Sequence, residues 1–214
     1  MNKILQKKKI QIRILEISYK YKLSHVSSCL TVLPILIDIY EKKAENDNVI
    51  LSCGHAGLAQ YVILEEIYGK QTHDAEKMLD NFGIHPLRDT ARHIDVSTGS
   101  LGCGILIATG MALGNKDKNV YCVVSDGELR EGSCYEALNF AQKINLTNFK
   151  VHVNVNGYSA YEKINIDHML KVLNCYDCIE RAWLTSNELC SYPFLYGFDA
   201  HYHVMTKEEH ESTK

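Results

Sequence analysis

Two segments that read as buried strands, NVYCVVSD (residues 119–126) and FKVHVNVNG (149–157), bracket the segment EGSCYEALNFAQKI, whose apolar residues recur at helical spacing. Strand, helix and strand at this interval make a βαβ unit. Its crossover makes the two strands parallel, because a tight turn joins only antiparallel neighbours. Buried strands in a parallel pair are covered on both sides by the crossover helices. The unit therefore predicts an α/β domain with an open parallel sheet and helices on both faces. NVILSCGH (48–55) and IERAWLT (179–185) read as further strands.

The remaining segments fit around that sheet. Helical spacing covers residues 9–22, then 29–43 with Ser27 or Ser28 as cap and Pro34 inside. It resumes after His55 up to a C-cap at Gly69, over 72–83, over the small-residue segment 104–114 and over IDHMLKVLNC. Residues 84–104 are rich in Gly, Ser, Thr, His and Asp, which marks either a surface connection or a site. From residue 192 the tail reads as irregular and ends in a short polar helix. No Pro/Gly/Ser-rich linker divides the chain, so residues 1–214 are expected to form one domain.

Charge and cysteine usage exclude several function classes. With 23 basic and 26 acidic residues the net charge is -3 and no basic face stands out, so nucleic acid is not an expected partner. Lys7–Lys9 and the following IQIRILEI are too short and too charged for a secretory or membrane-spanning segment, and a cytoplasmic protein is expected. The eight cysteines lie mostly in apolar segments, as free thiols do in a reducing compartment. Cys175 and Cys178 have the spacing of half a zinc knuckle, but no second pair completes it.

In an open parallel sheet, ligands bind beyond the carboxyl ends of the strands, where helix N-termini point their amides outward. Ser125-Asp126-Gly127 and Asn154-Val155-Asn156-Gly157 both fall at such ends. If the strands are neighbours, Asp126 and Asn156 meet at one rim and offer hard oxygens suited to Mg²⁺ or Ca²⁺ with a diphosphate. The plainer alternative is that Asp126 caps a helix starting near Leu129 and Asn156-Gly157 is a turn. Residue types alone leave both readings open.

SDGELREGSCYEALNFAQKINLTNFKVHVNVNG resembles the thiamine diphosphate motif of the transketolase family, Gly-Asp-Gly with an Asn one strand later. SHVSSCLTVLPIL, VILSCGHAGLAQYVIL, GIHPLRD and DVSTGSLGCGILIATGMALG resemble the family's successive blocks in order. The resemblance implies a thiamine diphosphate-binding fold of the PP type, shortened at its C-terminus. It implies that Asp126, the Asn156 side chain and the Tyr158 carbonyl hold Mg²⁺, with Ca²⁺ as a substitute. Gly127 would let the chain approach the diphosphate, and the backbone at Gly99 and Leu101 would meet the aminopyrimidine. Glu131 would join a hydrogen-bond network across the subunit interface; the bland role is a first-turn glutamate favoured by the helix dipole. His25, His55 and His85 would surround the reacting carbon and the cofactor phosphate as acid/base groups. His201 would match a late family histidine near the diphosphate, with His203 competing for the role. His93 has no family register and reads as structural.

The chain departs from the family pattern in three ways. Ser125 replaces the first motif glycine, a KGKG-type block after Asn156 is missing, and nothing matches the pyrimidine-binding domain whose glutamate activates the cofactor. The resemblance therefore implies a separate pyrimidine-domain subunit, an α₂β₂ assembly and two-carbon ketol transfer between sugar-type substrates. The alternatives are a thiamine diphosphate-dependent 2-keto acid decarboxylase or carboligase subunit in a sugar or surface-polysaccharide pathway, and a non-catalytic regulatory or scaffold subunit.

Overall fold

The structure is a computed structural model that describes residues 6–159 and 162–213. Four strands, β1 (Asn48–Leu51), β2 (Val120–Ser125), β3 (Phe149–Val155) and β4 (Ile179–Leu184), form one sheet in that spatial order, every pair parallel. The helices are α1 (Lys7–Lys20), α2 (Val26–Lys42), α3 (Gly57–Tyr68), α4 (Ala75–Phe82), α5 (Cys103–Gly114), α6 (Gly132–Lys143), α7 (Ile166–Leu173) and α8 (Lys207–Ser212).

Because strand side chains alternate, the sheet feeds two cores. Val49, Leu51 and Val123 join the apolar faces of α1, α2 and α3 on one side. Ile50, Val120, Cys122, Val124 and the valines of β3 join α5, α6 and α7 on the other. The predicted open parallel sheet with helices on both faces is therefore the observed one. Among the described residues no helix is long and apolar enough to cross a membrane, and every cysteine is a free thiol.

One local expectation is corrected. Helix α2 starts at Val26, and its N-cap is His25, at φ 61 and without a side-chain cap bond, so neither Ser27 nor Ser28 caps it. The reason is a distant contact: the His25 amide donates to the His201 carbonyl at 3.1 Å, which satisfies one backbone group at the helix entry. Short 3₁₀ turns at Pro193–Leu195 and Asp199–His201 lead to α8, where Thr206 and Glu209 form a capping box. The tail thereby lies across the start of α2 and carries His201 to the carboxyl ends of the strands.

Candidate functional site

The register of β2 on β3 pairs Ser125 with Asn154, so the two strands end level and their following loops meet. Asp126 is buried at that junction. Its Oδ1 accepts from the Gly127 amide at 2.9 Å and its Oδ2 from the Gly157 amide at 2.6 Å, which stitches the two loops together. Burial pushes the Asp126 carboxyl up to about 6, and the amide donors, Gly157 first, oppose that rise. Asp126 is no helix cap: the 3₁₀ turn Glu128–Arg130 has Gly127 as its N-cap, without a side-chain cap bond, and Ser125 Oγ accepts from the Glu128 amide at 3.1 Å. The hydroxyl that replaces the motif glycine is thereby turned onto the chain. Asn156 does form a turn, its Oδ1 accepting from the Tyr158 amide at 2.9 Å, and the same turn sets it beside Asp126.

Four histidines from four separate segments meet across this rim. His25 enters α2, His55 lies in the 3₁₀ turn after β1, His85 comes from the loop before α5 and His201 from the tail. Ring centroids lie 5.3 Å apart for His25 and His55, 4.6 Å for His25 and His201 and 5.8 Å for His55 and His201. Burial, reinforced by the neighbouring imidazoles, lowers His25 to about 4 and His55 to about 3, so both are neutral near pH 7. An anionic ligand beside them would raise both again, since negative charge favours the imidazolium. His203 is held instead by Glu209, Nε2 to Oε2 at 2.7 Å, and lines no part of the cleft. His93 stacks on Tyr68 with centroids 4.1 Å apart, also away from the cleft.

Residues 98–102 close a third side. Gly99 sits so near His85 that a Cβ would come within 3.0 Å of its ring, and Gly102, at φ 76, leaves only 2.1 Å to Ser133 Oγ. Glu131 is exposed at the N-cap of α6 and its Cβ would lie 2.9 Å from a Cβ on Gly102. The cleft between these segments has a volume of about 300 Å³ and is lined by His25, His55, His85, His201, Gly99, Leu101, Gly127, Glu131, Asn156 and Tyr158. Asp126 lies buried behind the lining residues Gly127 and Asn156. Several lining residues went unnoticed in the sequence, Arg130, Glu162, Tyr202 and Glu128 among them; Glu128, fully buried, looks like any first-turn glutamate until its surroundings are known.

The rim fits a metal–diphosphate ligand on three observations. Asp126 presents a carboxylate, with about four lone-pair sites, to the meeting point of the two loops, where Oδ1 holds the Gly127 amide and Oδ2 the Gly157 amide. A Cβ on Gly127 would stand 3.1 Å from Ser159 Cα and 3.5 Å from the Tyr158 carbonyl oxygen, so only glycine lets the loop after β2 lie this close to that carbonyl. His25 Nδ1 and Thr98 Oγ1 are buried without a hydrogen-bond partner. Among the described residues no group of three or more His, Cys, Asp or Glu side chains is arranged as a metal site. A cation here would draw on carboxylate, amide and carbonyl oxygens and on the ligand's own phosphates, the mode suited to Mg²⁺.

Strand ends, glycine-lined rim and convergent histidines define an α/β cofactor domain with its site at the switch from strand to helix. Residues 38–185 match the transketolase thiamine diphosphate-binding domain, and the chain belongs to that family. It is 33% identical over 162 residues to one of the subunits of apulose-4-phosphate transketolase from Phocaeicola vulgatus, covering 67% of this chain and 57% of that protein. It is 30% identical over 166 residues to human transketolase, covering 69% of this chain and 26% of that protein. The 6-deoxy-6-sulfo-D-fructose transketolase subunit SqwG of a Clostridium species is 29% identical over 182 residues, 77% of this chain and 64% of the relative. The chain thus spans a little over half of the first relative and about a quarter of human transketolase. Among solved structures, Leishmania mexicana transketolase shares the fold with a TM-score of 0.64 at 22% identity, over 80% of this chain and 31% of the other.

Proposed function

We propose that the chain is the diphosphate- and metal-binding subunit of a split, transketolase-like enzyme that transfers a two-carbon ketol unit between sugar-type substrates. The observation that carries this reading is the meeting of Asp126 and Asn156 where β2 and β3 end, beside a cleft lined by Asn156, His25, His55, His85 and His201. In it, Asp126, the Asn156 side chain and the Tyr158 carbonyl hold Mg²⁺ and the diphosphate, Gly127 leaves the approach free, and the backbone at Gly99 and Leu101 takes the ring end. Thiamine diphosphate supplies a carbanion-forming centre that no side chain of this protein provides. The neutral imidazoles of His25 and His55 orient substrate hydroxyls and accept or return their protons, a task suited to several histidines facing one polyhydroxylated chain.

A partner chain is part of the reading. Helix α5 carries no charged residue and is apolar all round, the character of a helix buried on every side. Yet Leu106, Ile107 and Leu113 are exposed on it, as are Phe140 and Ile144 at the end of α6, the helix packed beside it. That face suits a pyrimidine-domain subunit, which would set Glu131 at the junction of the two chains and lead to an α₂β₂ assembly. The names of two relatives, each a transketolase subunit, support the same division.

The test is calorimetric titration of the complex, assembled with its partner chain, against thiamine diphosphate with and without Mg²⁺. Saturable, metal-dependent binding together with ketol transfer is the expected result. Absence of saturable binding overturns the enzyme reading in favour of a scaffold role, and release of CO₂ from a 2-keto acid without ketol transfer moves the activity to decarboxylation.

A further inference from the structure

Glu128 follows Asp126-Gly127 in a 3₁₀ turn, and its side chain is fully buried beside the cleft. It has no salt-bridge partner among the described residues. An acid in such a place costs stability compared with an apolar side chain of the same size, so the fold gains nothing from its charge. What it does supply is one acceptor between three walls. Its Oε1 accepts from Ser52 Oγ at 2.6 Å and from the Gly102 amide at 2.9 Å, while its own amide donates to Ser125 Oγ.

The three partners come from separate parts of the site. Ser52 leaves β1 just before His55, Ser125 ends β2 just before Asp126, and Gly102 ends the loop that holds Gly99 and Leu101. The loop has little other freedom on that side. A Cβ on Gly104 would meet Ser52 Cα at 2.7 Å, so the start of α5 already rests on β1, and the Gly102 amide must point where Glu128 stands.

We infer that Glu128 is a positioning residue: through Ser52 and the Gly102 amide it sets the Gly99–Leu101 backbone where the ring end of the cofactor binds, so that the cleft selects the complete thiamine cofactor over diphosphate alone. The inference rests on the thiamine diphosphate reading above. It separates two parts of one ligand, because the anchor at Asp126 and Gly127 does not pass through the Glu128 side chain.

The experiment compares two ligands on the assembled complex by calorimetry, thiamine diphosphate and inorganic diphosphate, each with Mg²⁺. In Glu128→Leu, thiamine diphosphate binding weakens by about tenfold or more, the worth of lost hydrogen bonds to a charged group, while inorganic diphosphate binding stays within about threefold. Glu128→Gln, whose Oε1 can accept both donors, restores the wild-type ratio of the two affinities. Ser52→Ala removes one donor, keeps the buried acid and shifts the ratio in the same direction by less; it carries the test if Glu128→Leu does not fold. A parallel loss of both affinities, an unchanged ratio in the variants, or failure of Glu128→Gln to restore it overturns the inference. Absence of thiamine diphosphate binding in the wild-type complex is a different result, and it overturns the functional reading itself.

Discussion

The sheet has two rims, and both carry a polar hollow of similar size. The hollow at the amino ends of the strands, about 280 Å³, is lined by Lys43, Asp47, Asp95, Tyr68 and His93; the cleft at the carboxyl ends is about 300 Å³. They differ in how their polar atoms are used. Asp47 accepts from the Ala44 amide at 2.9 Å and the Asn119 amide at 2.9 Å, Asp95 accepts from the Val49 amide at 3.2 Å, and Lys43 Nζ donates to the Ala44 and Glu45 carbonyls. His73, whose Nε2 has no partner, packs against the Tyr68 and His93 rings but does not line that hollow. At the carboxyl rim His25 and Glu128, both lining the cleft, keep a buried polar atom without a partner. Size does not mark the site; unspent hydrogen-bonding capacity in its wall does.

The largest expected effect breaks the comparison at its centre. Asp126→Ala removes a proposed metal ligand and the acceptor for two loop amides, and we expect metal-dependent thiamine diphosphate affinity in the assembled complex to fall by about a thousandfold, near 4 kcal/mol. Calorimetry reads this directly, and an unchanged affinity would remove Asp126 from the metal site.

His152 asks whether an unpartnered atom is enough by itself. It lies buried in β3, its Nδ1 accepting from Trp183 Nε1 at 3.1 Å and its Nε2 without a partner, but it lines neither hollow. Burial lowers it from 6.5 to about 4, with Glu180, Asp38, Lys42 and Arg181 as the charged neighbours. The unfolded chain therefore takes up a proton near pH 6.5 that the folded chain refuses until about pH 4. Its contribution is fully present above pH 6.5 and is lost as the pH falls towards 4, roughly 3 kcal/mol in all. Urea unfolding at pH 7 and pH 5 should show His152→Gln losing about 2 kcal/mol less than wild type between the two, with cofactor binding unaltered. An identical acid loss in both proteins would mean that His152 is not a source of it.

The same contrast explains what was legible in the sequence. β2 could be read because burial leaves an unbroken apolar run, and α3 could be ended at Gly69 because a helix C-cap is local chemistry. The meeting of Asp126 and Asn156 followed from strand order. The entry to α2 could not be read, because His25 takes its backbone partner from His201, far along the chain. Glu128 was hidden for a similar reason: its meaning lies in Ser52 and Gly102, which only the fold brings beside it. The choice of His201 over His203 is an intermediate case. Thr206 and Glu209 have capping-box spacing in the sequence, but the Glu209 bond that holds His203 aside becomes visible only once the tail is folded.

A smaller effect is expected at the opposite rim. Asp47→Ala leaves the Ala44 and Asn119 amides without their acceptor and should lower stability by about 2 kcal/mol. Cofactor affinity should stay within about twofold, since every bond lost is structural and lies at the far ends of the strands. Weaker binding without loss of stability would show that the amino rim, too, has a ligand-related role.

The smallest expected effect concerns the face between the rims. Gly110 lies in the middle of α5 on its exposed side, and an added Cβ would meet nothing within 4 Å. In the isolated chain Gly110→Ala should therefore raise stability by about 0.5–1 kcal/mol, because alanine loses less backbone freedom than glycine in a helix interior. The assembled complex should respond in the opposite sense. If the α5 face receives the partner chain, the added methyl group stands in the contact and the dissociation constant of the two chains rises even as the free chain becomes harder to unfold. Thermal unfolding of the isolated chain and sedimentation of the complex measure the two terms separately. A stabilised chain that assembles with unchanged affinity would place the partner elsewhere, and would leave the apolar residues of α5 and α6 without the covering that the division into two subunits assigns to them.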